Sequence, residues 1–287
     1  MADKHIDEIS GVETTGHEWD GIRELNNPLP RWWLWSFYAT IVWAIAYTVV
    51  YPAWPMLTDA TKGLFNYSSR AELAAEVAGA KAAQAGMVEK IAALPVKEIL
   101  ADPQLTQFAT AAGAAAFKVN CVQCHGSGAA GGAGYPNLND DDWLWGGNIE
   151  QIQQTIAHGI RYNADADTRV SEMPAFADIL KPEEVRQVAA YVVSLTGTPH
   201  DSALVEPGRQ LFADNCASCH GEDARGNREF GAPNLADAIW LKVQGEEQIA
   251  AQIRQPKHGV MPGWNVRLGD ATVKELAVYI HSLGGGE

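Results

Sequence analysis

The chain has 287 residues, and its 21 Lys and Arg against 35 Asp and Glu give a formal charge of −14. This balance argues against a nucleic-acid-binding protein, because phosphate contacts require a basic patch. Hydrophobic residues make up 47% of the chain, which is enough for packed cores and excludes wholesale disorder. The four Cys fall in two tight pairs, so a disulfide-dense secreted scaffold is excluded as well.

The N-terminal part divides into a polar tail and one long apolar segment. The first 30 residues carry seven acids and two bases without long apolar periodicity, which predicts a polar tail over residues 1–31 with at most short local order. Residues 32–51 are twenty consecutive residues without a charge. At about 1.5 Å per residue, a helix of that length spans about 30 Å, the thickness of the hydrocarbon core of a bilayer.

A buried core helix and a cleaved signal peptide are the alternatives to a membrane span. The apolar stretch of a signal peptide is shorter, begins nearer the N-terminus and ends in small residues, whereas this one ends in Tyr51-Pro52-Ala53-Trp54-Pro55. A Trp cluster at one end, and Tyr51 with Trp54 at the other, are typical of the aromatic belts of a retained span. We therefore predict one transmembrane helix. The flanking basic residues are balanced and do not orient it.

A linker with one Ala-rich helix is predicted at residues 52–104. Ser69-x-x-Glu72 is a capping-box pattern at the start of this helix, and Pro95 closes it. Within the helix, a stripe recurs at alternating steps of four and three, as expected for a packing face. The stripe consists of Leu73, Val77, Ala80, Gln84, Met87, Ile91 and Leu94.

An internal repeat fills the rest of the chain. The segment around Cys121 recurs around Cys216, at an offset of 95 residues, and several landmarks recur after it in the same order. These landmarks are Pro136-Asn-Leu with Pro233-Asn-Leu, Trp143 with Trp240, Met173-Pro with Met261-Pro, and Tyr191-x-x-Ser-Leu with Tyr279-x-x-Ser-Leu. Two copies of one small domain are therefore predicted, at residues 105–196 and 205–287, with a short polar linker at 197–204.

Each copy is predicted to be helical. Pro182 and the two acids after it are typical of a helix start before Val185–Leu195. In the second copy, Asp270 or Thr272 is placed to cap a helix that continues through Leu283. Sustained two-residue alternation is missing from the sequence, so no sheet is expected.

Both copies contain C-x-x-C-H, the attachment signature of c-type haem, as Cys121-Val-Gln-Cys124-His125 and Cys216-Ala-Ser-Cys219-His220. Two thiols three positions apart can reach the two vinyl groups of one porphyrin, which holds the adjacent His beneath the iron. The alternatives are a zinc half-site, which would need a second pair of ligands, and a redox dithiol, which is typical of a βαβ setting. The duplication within a longer repeat favours two covalent haems.

The sixth ligand decides what each iron can do. Met173 and Met261 each precede Pro in loops that follow the Cys motifs, and His/Met ligation raises the reduction potential because a thioether favours ferrous iron. The alternatives are Met side chains that only fill core gaps, and bis-His ligation through His158 and His258. Two saturated irons leave no open position for oxygen or peroxide, which predicts an electron carrier without a catalytic residue of its own.

Other positions near the haems are less specific. Trp143 and Trp240 are expected near a macrocycle edge, with plain core packing as the equal alternative. Arg161, Arg169 and Arg267 are candidates for pairing with haem propionates, against the simpler interpretation of solvated surface charges.

The predicted haems also orient the chain. Covalent haem attachment takes place outside the bacterial cytoplasmic membrane, so both repeats are predicted in the periplasm. The tail is then cytoplasmic, with a single-pass anchor in the inner membrane.

The chain resembles the dihaem membrane-bound subunit (subunit III) of cbb3-type cytochrome c oxidases. The resemblance rests on the tail motif at residues 17–33, one anchor, two C-x-x-C-H motifs with Met-Pro loops, and His158-Gly-Ile-Arg161 ahead of Met173. It implies a mainly α fold with one N-terminal transmembrane helix and two tandem class I cytochrome c-like domains. It also implies two sites, one of Cys121, Cys124, His125 and Met173, and one of Cys216, Cys219, His220 and Met261.

The resemblance further implies function and partners. The subunit accepts electrons from a soluble or membrane-bound c-type cytochrome and passes them toward a catalytic haem–copper subunit that reduces oxygen to water, beside a monohaem c subunit and membrane lipid. Three rivals remain at the level of the residues: a tethered cytochrome of another complex, a dihaem peroxidase, and a haem-based gas sensor. The last two require an iron with an open or displaceable ligand.

Overall fold

The computed structural model describes residues 5–237 and 239–286, which form two compact units that meet between residues 82 and 83. The first unit begins with an antiparallel hairpin of β1 (Thr14–Trp19) and β2 (Ile22–Leu25). The expectation that the chain contains no sheet is therefore wrong for the tail. The physical reason lies in Asp20 and Gly21, whose φ angles of 49° and 82° allow the tight turn that joins two twisted strands.

The predicted membrane segment forms one helix, α1 (Arg31–Val50), which leaves none of its described side chains buried. Among the described residues it is the one helix long and apolar enough to cross a bilayer, with a mean hydropathy of 1.5. The Ala-rich helix α2 (Ser69–Ala93) follows. Its first turn is capped by Ser68, whose hydroxyl accepts from the Ala71 N–H at 3.3 Å, one residue before the capping Ser that the sequence pattern indicated.

Among the described residues of the second unit, the regular elements are all helices, which confirms the predicted fold class. Its elements are α3 (Val96–Ala101), α4 (Pro103–Asn120), α5 (Val122–His125), α6 (Ile149–His158), α7 (Pro182–Leu195), α8 (Ser202–Asn215), α9 (Ala217–His220), α10 (Gly245–Arg254), α11 (Asn265–Leu268) and α12 (Asp270–His281).

The helices of the two repeats are exchanged. Helix α4 at the start of the first repeat packs against α12 at the end of the second, and α8 at the start of the second repeat packs against α7 at the end of the first. Helix α6 likewise joins α12, and α10 joins α7. Each packed half of this unit therefore draws on both repeats. The predicted bounds 105–196 and 205–287 describe the sequence repeats, but not the packed halves.

A glycine at each helix crossing allows this packing. A Cβ atom on Gly113 of α4 would collide with the Glu275 carbonyl oxygen of α12, and a Cβ on Gly208 of α8 would collide with the Gln187 carbonyl oxygen of α7. Tilted aromatic pairs flank the two crossings at nearly equal centroid distances, Phe117 with Tyr279 at 5.5 Å and Phe212 with Tyr191 at 5.3 Å. The two halves are thus built alike.

The chain crosses between the halves at one short antiparallel pair. Ile160 and Met261 exchange both backbone hydrogen bonds, at 2.9 Å and 3.0 Å. On either side, the Phe176 N–H donates to the Ile253 carbonyl at the end of α10, and the Trp264 N–H donates to the Ile156 carbonyl at the end of α6. These bonds direct the segment after each Met onto the other repeat.

Two hydrophobic cores result. The buried centre of the first consists of Ile91, Val96, Ile99, Leu105, Ala109, Phe117, Ala129, Ile149, Ile152, Ile156, Ala157, Val273, Leu276, Ala277, Val278 and Ile280. That of the second consists of Phe176, Leu180, Val185, Val188, Ala189, Val192, Val193, Phe212, Cys216, Ala224, Ile249, Ala250 and Ile253.

We expect Gly113→Ala to lower the free energy of unfolding of the full chain by ~1–3 kcal/mol, because the added methyl group meets backbone that cannot turn away. Gly86→Ala is the matched control, since Gly86 is a helical glycine of α2 with open space around it, and the Ala there should be neutral or stabilising by about 0.5–1 kcal/mol. Denaturant unfolding followed by circular dichroism measures both. Equal stability of the two variants would contradict a close α4–α12 crossing.

Candidate haem sites

The first Cys motif lies on one turn of backbone. Helix α4 ends at Cys121, whose N–H donates to the Phe117 carbonyl at 2.9 Å, and the His125 N–H donates to the Cys121 carbonyl at 2.9 Å. Gly126, with φ of 77°, then ends α5. This turn brings the two thiols and the imidazole onto one short stretch of helix, as covalent haem attachment requires.

The second motif repeats this geometry. The Cys216 N–H donates to the Phe212 carbonyl at 2.8 Å, the His220 N–H donates to the Cys216 carbonyl at 3.0 Å, and Gly221 ends α9 with φ of 81°. All four Cys lie within the described residues, and none of them forms a disulfide. Cys121 and Cys216 are largely enclosed, and burial raises the pKa of each to about 11.

Each motif His is oriented through its Nδ1 atom. His125 Nδ1 lies 3.1 Å from the Pro136 carbonyl oxygen, and His220 Nδ1 lies 3.2 Å from the Pro233 carbonyl oxygen. A carbonyl only accepts, so Nδ1 carries the proton and Nε2 is left as a lone-pair donor to a metal. Burial lowers the pKa of both rings, which favours the neutral form that a metal needs. These residues fit an iron ligand in each motif.

The role of the two proline carbonyls was not predicted from the sequence. Pro136-Asn-Leu and Pro233-Asn-Leu are matched landmarks of the repeat, and nothing in their residue types indicates a contact with the His. Their recurrence at a similar distance after each His was the available signal, and the contact itself depends on the turn of the intervening loop.

Met261 lies at the first motif. One cavity is lined by Cys121, His125 and Met261, and its walls also include Trp143 and Trp264. Most of the remaining lining is apolar, from Phe117, Leu138, Ile152, Ile156, Leu276 and Ile280. The expectation that Met173 serves this motif therefore differs from the structure, because the exchange of α12 and its preceding loop brings the Met of the second repeat here.

Met173 packs instead against the core that contains Cys216 and Phe212. Trp240 and Leu235 pack against the same core, and the ring of His220 lies 6.5 Å from that of Phe212. Met261 thus lines the cavity at the first motif, and Met173 packs against the core that contains Cys216 of the second motif. Trp143 lines the first cavity and Trp240 packs against the second core, which fits both the expected position near a macrocycle edge and plain core packing.

The alternative His ligands lie elsewhere. His158 Nδ1 lies 3.1 Å from a carboxylate oxygen of Asp165, and with Asp167 these side chains form a small polar cluster outside the lining of the first cavity. His258 is exposed.

Two of the three Arg candidates contact backbone. Arg161 donates from Nε to the Gly259 carbonyl at 2.7 Å, and Arg169 donates from Nη1 to the Trp145 carbonyl. Burial lowers the pKa of both guanidinium groups. Arg267 lies over the Trp264 ring, 5.3 Å from its centroid.

Comparison with known protein families agrees with the site. The model described as "N-terminal domain of cytochrome oxidase-cbb3, FixP" matches residues 11–58. The model described as "Cytochrome C oxidase, cbb3-type, subunit III" matches residues 108–192 and 203–280, which is more than half of the chain. The first match covers the hairpin and α1, and the second covers both Cys motifs and both Met-Pro loops.

Several curated proteins are similar over the whole chain. The cbb3-type cytochrome c oxidase subunit FixP of Rhizobium meliloti (strain 1021) is 70% identical over 289 residues, with 100% of both chains covered. The subunit CcoP of Cereibacter sphaeroides is 53% identical, with 96% of this chain and 95% of the relative covered. The subunit FixP of Azorhizobium caulinodans is 48% identical, with 98% and 96% covered. Together with the paired Cys motifs, these matches show that the chain belongs to the subunit III family of cbb3-type cytochrome c oxidases, the dihaem c-type electron-transfer subunits of these complexes.

Proposed function

We propose that this subunit binds two covalent haem c groups whose His/Met ligands come from different repeats. In the first site Cys121 and Cys124 would attach the haem, and His125 and Met261 would bind its iron. In the second site Cys216 and Cys219 would attach it, and His220 and Met173 would bind its iron. The observation that carries this pairing is the cavity lined by both His125 and Met261.

A bound haem c supplies a one-electron ferric/ferrous couple, and thioether ligation raises its potential. The chain contributes the rest. Pro136 and Pro233 hold the tautomer of each ligating imidazole, and the apolar walls exclude water from the iron ligands. Iron held by His and Met in a site without water would undergo little reorganisation when its charge changes. This arrangement favours electron transfer over reaction with oxygen or peroxide, which a peroxidase or a gas sensor would need.

The electrons are proposed to come from a soluble or membrane-bound c-type cytochrome and to leave toward the catalytic haem–copper subunit, with the monohaem c subunit as a further partner. Helix α1 is proposed as the single-pass anchor in the inner membrane. The tail is proposed to be cytoplasmic and the haem-binding part periplasmic, since haem attachment takes place on that side. The exposed aromatic side chains of α1 support lipid contact as well as packing against a partner helix.

The cross-repeat pairing is tested with single-haem variants of the full chain. With Cys216 and Cys219 replaced by Ala, only the first haem attaches, and its weak ferric band near the red end of the spectrum should vanish in Met261→Ala and persist in Met173→Ala. With Cys121 and Cys124 replaced, the pattern should reverse. Pairing within each repeat gives the opposite pattern, and bis-His ligation gives no change in any Met variant.

Topology is tested with protease added to intact spheroplasts. We expect removal of the haem-binding part and survival of the tail with its hairpin, because the membrane shields only the cytoplasmic side. Antibodies against the two parts follow the fragments, and permeabilised cells serve as the control in which both parts are cut. Cleavage of the tail in intact spheroplasts would contradict the proposed orientation.

Docking of the donor is expected to depend on charge. The first repeat, residues 105–196, has 10 acids against 5 bases, and the second, residues 205–287, has 11 acids against 8 bases. Attraction to a basic cytochrome should fade as salt screens it, with a Debye length of about 8 Å at physiological ionic strength. Stopped-flow electron uptake from a soluble basic cytochrome should therefore slow as salt rises. Rates that ignore salt would favour a membrane-tethered donor.

A further inference from the structure

Arg161 lies where the two Met loops meet. The chain leaves α6 through Gly159 and Ile160, and Ile160 pairs with Met261 on one side and with Arg169 on the other. The Arg161 N–H donates to the Arg169 carbonyl at 2.8 Å, with the residue in the left-handed region at φ of 53°. Three chain segments thus lie side by side. The segment of Ile160 is in the middle, the segment of Arg169 leads to Met173, and the third segment contains Met261.

The Arg161 side chain contacts both of the outer segments. Its Nε atom donates to the Gly259 carbonyl at 2.7 Å, and its Nη1 atom donates to the Ser171 carbonyl at 2.8 Å. Gly259 lies two residues before Met261, and Ser171 lies two residues before Met173. A single guanidinium group therefore bridges the loops that carry the two sixth ligands.

We propose that Arg161 is a positioning residue for both haem irons, which holds the Met173 loop and the Met261 loop in place together. This role rests on the proposed assignment of Met173 and Met261 as iron ligands. It differs from the propionate pairing that the sequence suggested for Arg161, because the acceptors are backbone carbonyls of the ligand loops.

Side-chain packing holds these loops only weakly next to the bridge. Val170 is 69% exposed and Val260 is 62% exposed, so neither contributes much burial. A guanidinium is permanently charged and offers its donors in a rigid planar fork, which suits two carbonyls in fixed positions. A hydrogen bond from a charged donor shifts the equilibrium between the bonded and the detached loop by roughly tenfold, and solvent screening at a half-exposed site makes the effect smaller.

The repeat provides a reason for an Arg at this position. His158-Gly-Ile-Arg161 corresponds in the second repeat to His258-Gly-Val-Met261, where the Met itself follows directly. In the first repeat a longer loop separates this position from Met173. Arg161 occupies the position that Met261 has in the second repeat, so its side chain can hydrogen-bond the Met173 loop and the Met261 loop together.

The experiment uses the haem-loaded full chain, purified in detergent and free of its partner subunits so that no partner haem contributes, in Met173→Ala and Met261→Ala backgrounds. In each background the remaining red-end ferric band reports on one Met. Arg161→Gln should weaken the band in both backgrounds and raise the fraction of reduced haem that binds carbon monoxide at both sites, on the order of tenfold. Arg161→Lys keeps the charge without the fork, and should leave at least one of the two sites weakened.

Arg186→Gln is the control for the loss of an Arg side chain, because Arg186 pairs with Glu183 on the surface of α7 and donates to neither Met loop. It should leave the red-end band unchanged in both backgrounds. An unchanged band in either background of Arg161→Gln, full recovery in Arg161→Lys, or an equal loss in both backgrounds of Arg186→Gln would overturn the bridge. Haem content by pyridine haemochrome verifies attachment in every variant. If the Met→Ala backgrounds themselves keep the full band, the ligand assignment fails, independently of Arg161.

Discussion

The two backbone hydrogen bonds between Ile160 and Met261 lie where the chain changes from one half of the haem-binding part to the other. The segment on each side of this pair continues onto the opposite repeat, so the helix that closes each core comes from the other copy. The two glycine crossings of α4 with α12 and of α8 with α7 depend on that exchange, because each joins a first-repeat helix to a second-repeat helix.

Because of this exchange, each of the two packed halves contains helices of both repeats. The cavity at the first motif is lined by Met261 and by Leu276 and Ile280 of α12, so it cannot form from the first repeat alone. The buried Lys274 of α12 extends the same connection toward the N-terminal side, since its Nζ donates to the Ala92 carbonyl at the end of α2 at 2.8 Å and pairs with Asp270 at 2.6 Å. A cation at a helix C-terminus satisfies otherwise unpaired carbonyls and interacts favourably with the helix dipole.

The tail and anchor illustrate a different balance between local signal and long-range structure. The span was predictable because twenty uncharged residues with aromatic ends have few alternatives. The hairpin was also encoded locally, in Asp20-Gly21, but the flanking strands are short, are exposed except at the start of β1, and lack the clear alternation of a half-buried strand. The acid-rich composition of the tail favoured the expectation of an irregular segment, although Asp20 and Gly21 specify a tight turn.

The sequence by itself determined the helical class, the span, the two haem motifs and the identity of the proposed ligands, because each of these depends on residue types at short, fixed spacings. It also contained the landmarks of the Pro136 and Pro233 contacts. Only the tertiary structure decided that Met261 lines the cavity beside His125 and what Arg161 contacts. A repeat offers each Met two nearly equivalent positions, so local spacing favours neither. The choice is made by the backbone pairing of Ile160 with Met261 and by the helix crossings at Gly113 and Gly208. The first two contacts join residues about a hundred positions or more apart, whereas the crossing at Gly208 joins α7 to α8, the next helix along the chain.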